Sequence, residues 1–216
     1  MNRGVNWTLS PEAIEQESFR RIEAEMPAPP FGPREWRVVR RMIHTTANFG
    51  LAGDVYFGHD PVTAGVEALR AGAPIYSDST MIRAGLSLAK LRALNPGYGP
   101  DRLVCRIADP AVAEEARRRG QTRALVALER SRTEVDGGIV LIGNAPLALA
   151  GLARLIQESN VRPRLVIGMP VGFVNVVESK LMIMDTDVPQ IVLKGRQGGS
   201  TLAVATLHGI LESANG

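Results

Sequence analysis

The chain has 216 residues, 45% hydrophobic and 22% charged, enough to bury a full core in one ordinary globular domain. Its formal charge is +3, its pI is near 9.4, aromatics make up 5% and the basic residues are scattered, which disfavours a nucleic-acid groove and fits a small anionic ligand. No apolar run approaches the ~20 residues of a membrane span, no secretory apolar core opens the sequence, and the lone Cys105 excludes an internal disulfide and a cysteine-rich metal site, so a cytoplasmic protein without membrane or metal partner is expected.

Residues 1–9 are expected to be flexible. Ser10-Pro11-Glu12 then reads as a helix start, with serine as N-cap and proline in the first turn. Ile14, Phe19, Ile22 and Met26 fall on one broad face, and Ser18 lies along it. A serine there either bonds a carbonyl of the preceding turn or lines a site. A proline-rich connector, 27–33, separates this helix from a second one, Arg34 to about Asn48, closed by Gly50. Trp36, Val39, Ile43 and Ala47 form its inward stripe, and His44 sits at the stripe's border.

From Asp60 one theme repeats. Asp60-Pro61 caps a helix ended by Gly72, and Ala73 to Tyr76 is a strand ending at Ser77-Asp78. A helix from about Ser79 to Leu94 follows, then a strand from Leu103 to Ile107. Asp109-Pro110 caps the next helix, whose final Arg117-Arg118-Arg119 suits its dipole. Thr122 caps a further helix and puts Arg123 in the first turn, where a cation opposes the dipole. Gly138 to Ile142 is the most hydrophobic strand and ends at Gly143-Asn144 before the helix Leu147 to Glu158. Leu165-Val166-Ile167 is another. Gln190 to Leu193 is the last strand, and Thr201 to Ser213 the last helix, with His208 on its apolar side for core or interface packing.

This alternation predicts a single doubly wound, three-layer α/β domain over residues 1–216, with a mainly parallel five-stranded sheet and helices on both faces. In such sheets the ligand sits beyond the carboxyl ends of the strands. The segments expected there are Ser77-Asp78, Asp109, Gly143-Asn144, Gly168-Met169-Pro170-Val171-Gly172-Phe173 and Lys194 to Ser200, which includes Arg196, Gly198 and Gly199. The Gly168–Phe173 loop is unusually apolar, and Val174, Val177 and Leu181 after it have helical spacing. Such a layout fits either an ordinary packed turn or contact with a large, flat, partly apolar ligand. No phosphate-loop, dinucleotide or nucleophile-elbow spacing is present, and three scattered histidines make no metal constellation.

Five segments in order, Met42-Ile43-His44-Thr45-Thr46, Ala71-Gly72-Ala73-Pro74-Ile75, Ile142-Gly143-Asn144-Ala145-Pro146, Gly168 to Val174 with Glu178-Ser179-Lys180, and Gly195-Arg196 with Gly198-Gly199-Ser200, closely resemble the precorrin-8X methylmutase family of cobalamin biosynthesis. The resemblance covers nearly the whole chain. It implies a cofactor-free isomerase that moves a methyl group from C11 to C12 of ring C in precorrin-8X or cobalt-precorrin-8, giving hydrogenobyrinate or cobyrinate. It also implies His44 as the acid that protonates the macrocycle, Ser18 and Arg123 in the same pocket, and a homodimer with sites near the subunit interface. Ser87 follows Gly85-Leu86 where the family often has threonine, keeping a hydroxyl without the methyl. A non-catalytic tetrapyrrole carrier on the same fold is the competing reading, against which His44 stands, since a binder needs no group that titrates near neutral pH.

Overall fold

The computed structural model describes residues 6–214; positions 1–5 of the stretch expected to be flexible lie outside the described residues. Ser10 Oγ accepts from Ala13 N at 3.2 Å and starts α1 (Pro11–Glu25). The proline-rich connector gives its last residue to α2 (Pro33–Thr46), where a first-turn proline has no N–H to lose. A 3₁₀ segment, Phe49–Asp54, leads into β1 (Val55–Gly58). Then come α3 (Pro61–Arg70), β2 (Ile75–Ser77), α4 (Thr80–Gly85), α5 (Leu88–Leu94), β3 (Leu103–Val104), α6 (Pro110–Arg119), α7 (Arg123–Arg130) and the single turn α8 (Arg132–Val135). The chain ends through β4 (Ile139–Ile142), α9 (Pro146–Ser159), β5 (Leu165–Gly168), α10 (Val176–Met184), β6 (Gln190–Leu193) and α11 (Ser200–Ser213).

The sheet order is β1-β6-β5-β4-β2-β3, with β2 to β6 parallel and β1 antiparallel to β6. The sheet therefore has six strands, one more than the five expected. The added strand pairs Val55 with Leu193 and Phe57 with Ile191 at the edge. Strands buried on both faces show the period of two in where they point. Ile139 and Leu141 join the core under α1 to α5 and α11, whereas Val140 and Ile142 join the core under α7 to α10. α2 and α11 cross closely, because a Cβ on Gly209 would meet Val38 Cα at 2.7 Å.

Four local expectations change. The helix expected from Ser79 to Leu94 is two helices, because Ser87 Oγ accepts from Lys90 N at 3.3 Å and starts α5 anew. Asp60 precedes α3 in the left-handed region (φ 49°), and its side chain makes no cap bond. The spacing Val174, Val177, Leu181 does not mark the buried face of α10. Those side chains point outward, and Val176, Ser179, Lys180 and Ile183 point in. α2 ends at Ala47, not Gly50, and Ala47 adopts the left-handed conformation (φ 51°, ψ 26°) in which a Cβ is strained. Ala47→Gly is expected to stabilise the protein by a net ~0.5–1 kcal/mol, the relief of strain exceeding the extra unfolded-state freedom. Equilibrium urea unfolding of both proteins checks this; an equal or lower midpoint for the glycine variant refutes it.

Candidate active site

β2 continues outward to β3, and the chain then returns to β4 on the other side of β2, so the strand order reverses between β2 and β4. A crevice opens at such a reversal beyond the strand ends. Asp78 lies there, 1% exposed. Its carboxylate accepts from Gly143 N (3.0 Å), Asn144 N (2.8 Å) and Ala145 N (2.6 Å), the free donors ahead of α9. Burial pushes its carboxyl upward, and the three N–H groups oppose that. Asp78 is thus an internal anion for the α9 turn, and the Asn144 side chain beside it is exposed. Ser79 Oγ lies 3.0 Å from Ser200 Oγ, and a Cβ on Gly143 would meet Ser200 Cα at 2.9 Å, so the β2, β4 and α11 ends converge.

The two glycine-bearing loops are zipped together. Gly199 N donates to Met169 O (2.8 Å) and Gly172 N to Arg196 O (3.2 Å). Gly198 has no room for a side chain, since a Cβ would lie 2.2 Å from Met169 O and 2.8 Å from Pro170 O. Gly168, Met169 and Pro170 are buried, whereas Val171 and Phe173 are exposed, and the Arg196 guanidinium stands 5.5 Å above the Phe173 ring. Ser179 is buried and donates to Val176 O at 2.9 Å. Lys180 is buried and donates to loop carbonyls.

His44 is exposed in the last turn of α2. Its ring meets Phe19 edge-on, centroids 5.3 Å apart at 64°, and the guanidinium groups of Arg40 and Arg41 lie 4.0 and 5.0 Å from the same Phe19 ring. Arg41 is further held by Glu15 at 2.9 Å and by Glu212. Arg41 and Thr45, either side of His44, line a groove of about 300 Å³ with Met81 and Gly85 of α4 and Ser200, Val204 and His208 of α11. Beyond α2, Asn48 Nδ2 reaches Gln197 Oε1 at 3.5 Å, so the His44 end of α2 adjoins the Arg196 loop. Ser87 heads α5, and its backbone N donates to His208 Nε2 at 3.3 Å. Burial, with Lys90 and Arg41 nearby, pushes the His208 imidazole down to about 4 against a weaker pull from Glu15.

The structure thus brings His44, Ser200, Gly198, Gly199, Arg196 and the Gly168–Phe173 loop to one region. Two candidates stand apart in their bonding. Ser18 Oγ donates to Ile14 O at 2.8 Å, the local bond such a serine offers, although its neighbour Phe19 touches His44. Arg123 is exposed at the head of α7 without a hydrogen-bond or ion-pair partner among the described residues, and its own turn packs on α9 through Leu125 and Gly151. Phe19, Arg41 and His208 were not singled out as site residues. For Arg41 and His208 no local pattern marks them, because their neighbours come from three separate helices. Among the described residues no group of three or more metal-ligating side chains is placed to hold an ion, and no helix is long and apolar enough to cross a membrane.

An open α/β sheet with a loop-built crevice at its strand ends places the chain in the class of doubly wound α/β domains, which bind ligands at such a crevice. Residues 13–213 match the family model described as Precorrin-8X methylmutase. A cobalt-precorrin-8 methylmutase of Priestia megaterium is 40% identical over 94% of this chain and 88% of its own length. A precorrin-8X methylmutase of Pseudomonas aeruginosa is 33% identical over 95% and 97%. The crystal structure of a precorrin-8X methylmutase from Thermus thermophilus superposes with a TM-score of 0.85 at 44% identity, covering 94% of this chain and 97% of that one. The chain belongs to the precorrin-8X methylmutase family, whose members are isomerases.

The buried His208 gives a signed pH effect. An unfolded histidine binds its proton near the ordinary ~6.5, and the folded one near 4. Between these values the unfolded chain holds more protons, so stability falls as pH drops from 6.5 towards 4. His208→Gln, which keeps an acceptor for Ser87 N, is expected to flatten that slope in urea titrations at several pH values; parallel slopes for the two proteins would refute the assignment.

Proposed function

We propose that the chain moves the methyl group from C11 to C12 of ring C in precorrin-8X or cobalt-precorrin-8, giving hydrogenobyrinate or cobyrinate, with no cofactor and with any cobalt carried as part of the substrate. The observation that carries this reading is the meeting of the His44 end of α2 with the Arg196 loop beside a groove, in a chain of this family. A corrinoid precursor is a broad apolar ring edged by carboxylates. The exposed Phe173 ring and the Val171 face suit the ring, while Arg196, Arg123 and the Gly198–Ser200 turn suit the carboxylates.

A methyl shift around a conjugated ring, a 1,5-sigmatropic step, needs no nucleophile and no redox partner. Protonating the macrocycle makes it electron-poor and lowers the barrier to migration. Imidazole is the side chain that gives and takes protons near neutral pH, and it recovers its proton after migration, so the reaction remains an isomerisation. His44 fills this role, held at its edge by Phe19. Ser18, Ser87, Asp78, Asn144, Ser179 and Lys180 complete the site, several of them through the backbone they hold. His44→Asn is expected to leave folding and corrinoid binding intact and to lower turnover by roughly 10²–10⁴-fold. The assay uses metal-free and cobalt-loaded substrate side by side, and near-normal turnover by the variant sinks the proton-donor role.

The enzyme works as one cytoplasmic domain paired into a homodimer. The groove of about 300 Å³ is too small to enclose a whole tetrapyrrole. Beside it, Phe173 is 83% and Val174 76% exposed, continued along α10 by Val177 and Leu181. A second copy burying this strip would also wall the site, whereas α11, whose apolar side is expected to serve core or interface packing, uses it on α2 and the sheet. Sedimentation at micromolar concentration is expected to give a dimer, and Leu181→Glu a monomer with weakened corrinoid binding. A wild-type monomer would remove this part of the reading.

A further inference from the structure

Lys180 is 1% exposed, and among the described residues no carboxylate lies within ion-pair distance of it. A buried ammonium without a carboxylate is retained only where other acceptors replace water. Here Nζ donates to Gly195 O at 2.9 Å and Gln197 O at 2.7 Å. Burial pushes the amine down to about 8, with Asp54 opposing. The carbonyl between those two, Arg196 O, is taken by Gly172 N at 3.2 Å. Three successive carbonyls are therefore each held by a donor from α10 or the facing loop, and the exposed Arg196 side chain between them lies over Phe173. Gly195 makes the turn with φ 70°, and the lock continues through Gly199 N to Met169 O into the first turn of α11.

We propose that Lys180 is a positioning residue that never touches the substrate: it grips the two carbonyls flanking Arg196, and so sets both that guanidinium and the Gly198–Ser200 turn for a carboxylate of the substrate. The inference rests on the methylmutase reading, which supplies the anionic ligand. It also explains why the inward face of α10 carries a lysine where an apolar residue would pack. A tetrahedral ammonium reaches two diverging carbonyls at once. The longer planar guanidinium of an arginine does not fit that short, enclosed span, and methionine offers no donor.

The test is a double-mutant cycle in the full chain with Lys180→Met, Arg196→Ala and both together. Corrinoid turnover gives KM and kcat for each protein, and thermal melting shows that each folds. Lys180→Met is expected to raise KM about tenfold, the scale of one charge-assisted bond, with little change in kcat. Arg196→Ala is expected to do the same, and the double variant to be no worse than Arg196→Ala alone. If Lys180→Met does not fold, Lys180→Gln, which keeps a donor, replaces it, with a smaller rise in KM that again vanishes in the Arg196→Ala background. Multiplying effects, or a fall in kcat at constant KM, would overturn the positioning role while leaving the methylmutase reading in place. A wild-type protein inactive on both forms of the substrate would instead overturn that reading.

Discussion

The Asp78 carboxylate fixes the geometry from which the rest of the site is built. The first turn of a helix has N–H groups without intrahelical partners, and they attract an anion. Ahead of α9 that anion is supplied by the protein itself, from the end of the neighbouring parallel strand. The crevice between β2 and β4 is thereby tied shut at its base, and Ser79, the next residue, reaches Ser200 at the head of α11. The N–H groups of Gly143, Asn144 and Ala145 are therefore already taken by the protein's own carboxylate.

The rim on which His44 sits depends on a different arrangement. α1 is held to α2 by Phe19, whose ring takes two guanidinium groups at 4.0 and 5.0 Å and the His44 edge at 5.3 Å. Arg40 and Arg41 are in turn paired with Glu15, Glu23 and Glu212 from α1 and α11. A partly buried network of this kind adds little net stability, because desolvation offsets the Coulomb gain. Its consequence is geometric: three helices are registered to one another around an exposed imidazole. Removing one partner would leave a cation unpaired in a low-dielectric setting, so the members of the network are not independent of one another.

Much of the fold and part of the site are legible in the residues themselves. β2 to β6 appear as short apolar, β-branched runs between caps, and Ser10, Ser79, Asp109 and Thr122 cap their helices through side-chain oxygens, as their chemistry dictates. His44, the two glycine-bearing loops and Arg196 were recognisable as a set because each lies in a distinctive local segment. The backbone itself requires glycine at 198, where two carbonyls leave no space for a side chain.

What tertiary structure alone decided concerns residues whose partners are distant in sequence. Val55–Gly58 is not marked out as a strand by its own residues, and pairs as one with the edge that β6 offers. The apolar spacing at 174, 177 and 181 pointed the wrong way round α10. The helix instead turns Lys180 inwards, where its buried ammonium finds acceptors in the carbonyls of Gly195 and Gln197. Likewise Ser18 and Ser87 are spent on a carbonyl and a helix start, and the His208 imidazole is pushed down by burial, with Lys90 and Arg41 on two other helices adding to it. Local sequence fixes which segments are strands, helices and turns, since those depend on near neighbours. Which side chain meets which loop depends on satisfying buried polar groups across the fold, and that is settled only when the layers pack.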